Sequence, residues 1–102
     1  MSDLRTRVRL ATRCAAAALL VLLAACVTAP VQEMSDARQA IQAAEEAGAA
    51  TLATQALSDA KRLLTSAERK LQREAYASAR QDARESRRRA TEALEAARAG
   101  KD

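Results

Sequence analysis

The residues that could carry chemistry are few, and their spacing decides what remains open. The chain holds two cysteines, Cys14 and Cys26, and no histidine. The usual pairings of imidazole base with hydroxyl or thiol nucleophile are therefore absent. Ser58 with Lys61 and Ser66 with Lys70 stand three and four residues apart. On a helix each pair would share a face as a Ser–Lys dyad, although surface helices carry such pairs by chance. Glu45-Glu46 is a carboxylate pair near an expected helix end and reads as solvated. No cysteine, histidine or carboxylate cluster has metal-ligand spacing, and no cofactor is expected. Arg80, Arg84, Arg87 and Arg88 recur at helical spacing, extended by Arg89. They are candidate contacts to an anionic surface such as phosphate-bearing lipid or an acidic envelope polymer. The competing reading is a solvated face balanced by Asp82, Glu85, Glu92 and Glu95.

Cys26 differs from Cys14 in what precedes it. Arg5, Arg7, Arg9 and Arg13 give a basic N-terminus, and residues 14–25 are apolar and uncharged. Small residues then lead into Cys26, which is the layout of a secretory signal. The basic segment is retained on the cytoplasmic side. The apolar run is shorter than the roughly 20 residues that span a bilayer. Leu23-Ala24-Ala25-Cys26 resembles the bacterial lipobox. The resemblance implies cleavage between Ala25 and Cys26, a diacylglycerol thioether on Cys26, and acylation of the new amino terminus. An uncleaved membrane anchor and an ordinary cleaved signal are the alternatives, and all three carry the remainder across the membrane. On the lipobox reading residues 1–25 are a lipoprotein signal peptide, residues 26–32 a lipidated tether, and residues 33–99 the folded domain.

Composition then bounds that domain. The formal charge of +4 belongs mostly to the leader, where four arginines face only Asp3, so the part after Ala25 is nearly neutral. The high pI is a poor argument for nucleic-acid binding, and none is expected. Alanine dominates the sequence after Cys26, with Tyr76 the only aromatic, Pro30 the only proline and Gly48 and Gly100 the only glycines. That is the composition of long helices, with too few strand formers for a sheet. The expected fold is all-α, an antiparallel helical hairpin or three-helix bundle, with a thin core because alanine buries little area.

Periodicity predicts helices over about residues 33–47, 52–73 and 75–98. Met34, Ala37, Ile41 and Ala44 form one face of the first, with Ser35 or Thr28 as its cap. Gly48 suits the position just past a helix end, and Thr51 is a candidate cap for the second helix. There Ala53, Leu57, Ala60, Leu64, Ala67 and Leu71 alternate small and large at heptad spacing. Leu57, Leu64 and Leu71 are expected among the most buried side chains. The seam then shifts to Tyr76, Ala79, Ala83, Ser86, Ala90, Ala93 and Ala97. Either the chain turns near residues 72–75, or one long helix continues with a register shift. No glycine or proline marks a turn there.

Ser35-Asp36-Ala37-Arg38, Ala43-Ala44, Ala47-Gly48-Ala49, Ala56-Leu57, Ala60, Leu64, Ala67, Tyr76, Ala79 and Ala83 together resemble a family of small alanine-rich bacterial lipoproteins. It is a domain-of-unknown-function family whose domain also occurs ahead of peptidoglycan-binding OmpA-like domains. Its members often carry Gly-Asp just before the aromatic matching Tyr76, where Glu74-Ala75 stands here, and proline where Thr54 stands. The resemblance implies no catalytic activity. The expected role is a non-enzymatic, lipid-anchored structural or helix-mediated interaction module of the cell envelope. Val27 after the cysteine favours the outer membrane, facing the periplasm. Expected partners are the bilayer, an envelope protein or peptidoglycan, and a second copy of the chain. The alternative is a tether like murein lipoprotein, whose C-terminal lysine is linked to peptidoglycan; here Lys101 is followed by Asp102.

Overall fold

The computed structural model describes the backbone of residues 2–101 and the side chains of residues 3–18 and 29–101. Ala25 and Cys26 lie outside the residues whose side chains are described. The described chain is all-α: α1 (Ser2–Thr28), α2 (Val31–Glu46), a single turn α3 (Ala49–Leu52), α4 (Thr54–Gln72) and α5 (Tyr76–Lys101). Among the described residues no helix is long and apolar enough to cross a membrane.

The bundle consists of α2, α4 and α5, with α3 as a corner piece. It begins earlier than the expected tether allows. Pro30 is the residue before α2, and it is fully buried. Proline suits a helix start because it has no amide proton to leave unpaired. Its carbonyl accepts from the Met34 amide at 3.1 Å. Ser35 therefore lies inside the helix rather than capping it, and its hydroxyl accepts from Gln39.

Gly48 ends α2. Its φ of 91° is left-handed, and its amide donates to the Glu45 carbonyl at 3.0 Å. A side chain at that φ is strained, which is why glycine stands there. The next helix does not start at Thr51 as the sequence suggests. Residues 49–52 form α3 over Gly48, and the Thr51 hydroxyl donates back to the Gly48 carbonyl. Ala53 then breaks the path at φ −147° and begins α4 without a side-chain cap. Gly100 passes over this corner, where an added Cβ would meet Leu52 Cδ2 at 3.4 Å.

The chain turns after α4, so of the two alternatives the turn near residues 72–75 is found and not the continuous helix. Arg73 closes α4, and Glu74 takes a left-handed φ of 60°. The Ala75 amide donates to Lys70 and the Glu74 amide to Leu71, at 2.9 and 3.0 Å. This is the Schellman arrangement, which pairs the free carbonyls of a helix end. A non-glycine residue in that conformation costs about 1–2 kcal/mol. Burying the whole apolar stripe of α5 outweighs it. Glu74→Gly is accordingly expected to raise stability by about 0.5–1 kcal/mol, read as a higher urea midpoint with an unchanged slope. A lower midpoint would show that the Glu74 side chain contributes something its backbone does not.

Alanine makes the core. Ala79, Ala83, Ser86, Ala90, Ala93 and Ala97 of α5 are all fully buried. One cluster joins Ala90, Ala93 and Ala97 to Ile41, Ala44, Ala49, Leu57 and Ala60; a second joins Ala83 to Met34 and Ala67. Ser86 stands between the two. Its hydroxyl donates to the Ala60 carbonyl across the α4–α5 interface at 2.7 Å. A buried hydroxyl needs such a partner, and this one pins the register of the two helices. The leucine seam is only partly as expected. Leu57 is 4% exposed, whereas Leu64 and Leu71 pack at the cluster edges and are half-buried. Alanine-to-alanine contact brings the axes so close that larger residues are displaced to the flanks. Met34, not a leucine, is the largest fully buried side chain.

Candidate functional site

The arginine stripe lies along α5 on the side that meets the start of α2. Its members divide into one held residue and three outward ones. Arg80 donates through Nε to Glu33 Oε1 at 3.1 Å, with both side chains mostly covered. Arg84 approaches the same oxygen at 3.8 Å, and Arg87 approaches Asp36 Oδ2 at 3.9 Å. Arg88 pairs with Glu85 one turn earlier, and Arg89 bridges Glu85 and Glu92 at 3.4 Å each. The side chains of Arg84, Arg87 and Arg88 remain about two-thirds exposed, at 70%, 63% and 64%.

An open groove of about 560 Å³ runs along this face, lined by Ala77, Arg80, Gln81, Arg84, Glu85 and Arg88. Arg84 and Arg88 edge it with solvent-exposed charges, Arg88 paired with Glu85 and Arg84 only distantly with Glu33. Chemically the groove can attract an anionic group, but it has no enclosed, water-excluded space of the kind substrate sites use. Glu33 and Asp36 are the acids that sequence spacing did not identify as partners of the stripe. Both are partly buried and are met by arginines of α5. Among the expected balancing acids, Glu85 and Glu92 do pair with the stripe, whereas Asp82 turns to α4.

The lysine of each Ser–Lys pair is drawn into a contact between helices. Lys61 Nζ lies 2.8 Å from Glu45 Oε1 of α2, which takes one member of the Glu45-Glu46 pair out of simple solvation. Glu46 accepts from Gln42 at 3.2 Å. Ser66 and Lys70 converge on one carboxylate of α5. The Ser66 hydroxyl donates to Asp82 Oδ2 at 2.6 Å, and Lys70 Nζ lies 2.7 Å from the same oxygen. Ser66 thus gives its proton to an acid rather than to a lysine base. The cluster works as a clamp between α4 and α5.

Asp82 titrates below the ordinary carboxylate value. Burial alone would raise it and is the largest single influence. The hydrogen bonds from Lys70 and Ser66, with the charges of Lys70 and Arg62, together outweigh it. A lowered folded pKa means that the clamp's stabilisation is fully present above the unfolded value, near pH 4. It is lost as pH falls through the folded value. Asp82→Asn is expected to cost about 1–2 kcal/mol at pH 7 and to flatten the loss of stability below about pH 4. Urea midpoints measured at pH 7 and pH 3 check both; equal acid sensitivity in the two proteins would remove Asp82 from this role.

Tyr76 is the first residue of α5 and is half-buried beside the α4–α5 turn. Cys14 is an exposed free thiol on α1. Among the described residues no group of three or more acids or cysteines is arranged to hold a metal.

Comparison with curated proteins gives no match, and comparison with solved structures gives none. A family model, described as a domain of unknown function, DUF4398, matches residues 32–102. The match starts one residue into α2 and takes in α2 through α5, so the unit it delimits is the three-helix bundle with its corner. On that match, the chain belongs to the DUF4398 family.

Proposed function

We propose that this protein is a lipid-anchored, non-enzymatic module of the bacterial envelope that acts through helix–helix association next to the membrane. The observation that carries the reading is Leu23-Ala24-Ala25-Cys26 behind a basic and then apolar leader, immediately ahead of a bundle that starts at Pro30. Acyl chains on Cys26 would hold the domain at the bilayer, and Val27 favours the outer membrane, facing the periplasm. The chemistry of the bundle supports a binding rather than a catalytic role. There is no histidine, and both lysines beside serines are engaged by carboxylates. The alanine faces of α2, α4 and α5 are filled by one another, so a partner helix would pack on the outer faces of the bundle. Such association would also strengthen a small domain with a thin core.

Intact-mass analysis of the protein extracted from membranes tests the reading. The expected species begins at Cys26 and carries a diacylglycerol and an N-acyl group. A mature chain with unmodified Cys26 overturns it. The association part predicts a melting temperature that rises with protein concentration or with an envelope extract.

One observation favours the tether alternative. α2 leads away from Cys26, α4 returns, and α5 leads away again to Lys101 beside Gly48. Lys101 is therefore at the opposite end of the bundle from the proposed lipid, as a link between membrane and peptidoglycan requires. Recovery of a Lys101 peptide on muramidase-released peptidoglycan fragments would establish it.

A further inference from the structure

We infer that the α4–α5 turn, with Arg69, Arg73 and Tyr76, is the end of the bundle that rests on anionic phospholipid headgroups. This rests on the lipid anchor proposed above, and the path of the chain carries it. Residue pairs across the bundle fix the direction of each helix. Arg38 meets Glu68 and Glu45 meets Lys61, so α4 runs antiparallel to α2. Glu33 meets Arg80 and Asp36 meets Arg87, so α5 runs parallel to α2. Met34 packs with Ala67 and Ala83 in one cluster. Pro30 is then level with the first turn of α5 near Ala79. The residues before that level, including the whole α4–α5 turn, project further toward the lipid by about one helical turn, roughly 5 Å.

The link between that end and the lipid is short. Pro30 is fully buried, so only residues 27–29 separate the bundle from Cys26. Fully extended, that stretch reaches roughly 14 Å. The projecting turn takes up part of the distance. An acylated Cys26 therefore cannot hold the bundle far from the bilayer, and the α4–α5 turn is the nearest part of it.

The residues on that turn suit the position. Arg69 and Arg73 are exposed, one helical turn apart, and have no ion pair among the described residues. Most other arginines of the bundle are answered by an acid on their own or a neighbouring helix. Tyr76, the chain's one aromatic, stands three residues beyond Arg73. Tyrosine is favoured at the headgroup level, where its ring is partly desolvated and its hydroxyl stays wet. An arginine near an anionic bilayer surface contributes binding that salt screens.

The test uses the mature lipidated protein reconstituted in vesicles of phosphatidylglycerol and phosphatidylethanolamine. Cys14 leaves with the leader and Cys26 is blocked by its thioether, so an introduced cysteine is the one free thiol. A fluorophore is attached to Ala75→Cys or, separately, to the exposed Ala99→Cys near the other end of α5. Headgroup-labelled quencher lipid should quench the first strongly and the second little, since the two positions are about 35 Å apart along the helix axis. Arg69→Gln and Arg73→Gln should each lower the quenched-to-unquenched ratio at position 75 about fivefold. Their effect should vanish in phosphatidylcholine vesicles. Equal quenching at both positions means that the bundle lies flat, and stronger quenching at 99 means that it points the other way; either overturns the inference. Quenching indifferent to the arginines overturns the role given to them. A protein whose mass shows no acyl groups fails the anchor itself, and that failure is read on the mass spectrum before any quenching is measured.

Discussion

Ala60→Leu combined with Ala67→Leu is expected to leave the domain largely unfolded at 25 °C. Both alanines are fully buried on the α4 seam. Ala60 faces the α5 stripe through the cluster that holds Ala90 and Ala93, and its carbonyl accepts the Ser86 hydroxyl. Ala67 packs with Met34 and Ala83. A leucine at either site has no void to enter. It must push α4 away from α5 or force neighbours off their rotamers, at about 1–3 kcal/mol each. At Ala60 the displacement also threatens the Ser86 bond and would leave a buried hydroxyl unpaired. The sites are two helical turns apart in different clusters that share the half-buried Leu64, so their costs should add in large part. A domain of this size rarely has more than about 3–5 kcal/mol to lose. By contrast, replacing Arg87, Arg88 and Arg89 with glutamine removes exposed pairs worth about 0–1 kcal/mol each. Urea denaturation followed by circular dichroism separates the two sets. If the double leucine variant keeps its midpoint, the helices are not in close contact along alanine, and the core has been misassigned. Met34→Ala should cost about 2–4 kcal/mol, more than Leu64→Ala, because only Met34 is fully enclosed.

The helices and their buried faces were legible because alanine leaves few competing signals. Met34, Ala37, Ile41 and Ala44 recur at helical spacing and are the buried residues of α2. The stripe from Ala79 to Ala97 is likewise the buried face of α5. Gly48 was legible as a helix end because only glycine takes its φ cheaply. The second turn was legible only through the shift of the apolar seam near residues 72–75, with a continuous helix left open, since its left-handed position is filled by Glu74 and no local residue announces it. Tertiary burial decides that turn, and it acts at a distance that local spacing does not report. The same limit explains the leucines. A heptad says which residues point inward but not how close the partner comes, and close alanine packing moves Leu64 and Leu71 outward. The arginine stripe was visible as a pattern, yet its acids on α2 were not. Pairing Glu33 with Arg80 spans 47 residues of sequence and depends on helix direction. The Ser66–Lys70 spacing was visible too, but its meaning changed once Asp82 arrived from α5.

Cys26→Ser is expected to abolish the mature lipidated form and to leave the precursor uncleaved. The lipobox reading makes the thiol of Cys26 the nucleophile that takes the diacylglycerol as a thioether, and it makes cleavage before Cys26 depend on that step. Serine offers an alcohol that is far less nucleophilic than a thiolate at neutral pH. The effect should therefore be all or none rather than graded. Physically, the loss is that of the acyl chains, each CH₂ of which contributes about 0.8 kcal/mol of membrane binding. A single chain binds marginally, whereas two or more hold a domain stably. The bundle should be untouched, because Pro30 and every buried residue among those described lie after Cys26. Three measurements on the Cys26→Ser protein read this out. Intact mass should be that of the full precursor, radiolabelled palmitate should not be incorporated, and the circular dichroism of the helical domain should be retained. Cys14→Ser is the matched control, since the exposed Cys14 thiol on α1 has no small-residue site before it, and it should change none of the three. A Cys26→Ser protein that is still cleaved at Ala25 would identify an ordinary secretory signal instead. The bundle would then be free in the periplasm, with no lipid to hold the α4–α5 turn at a membrane.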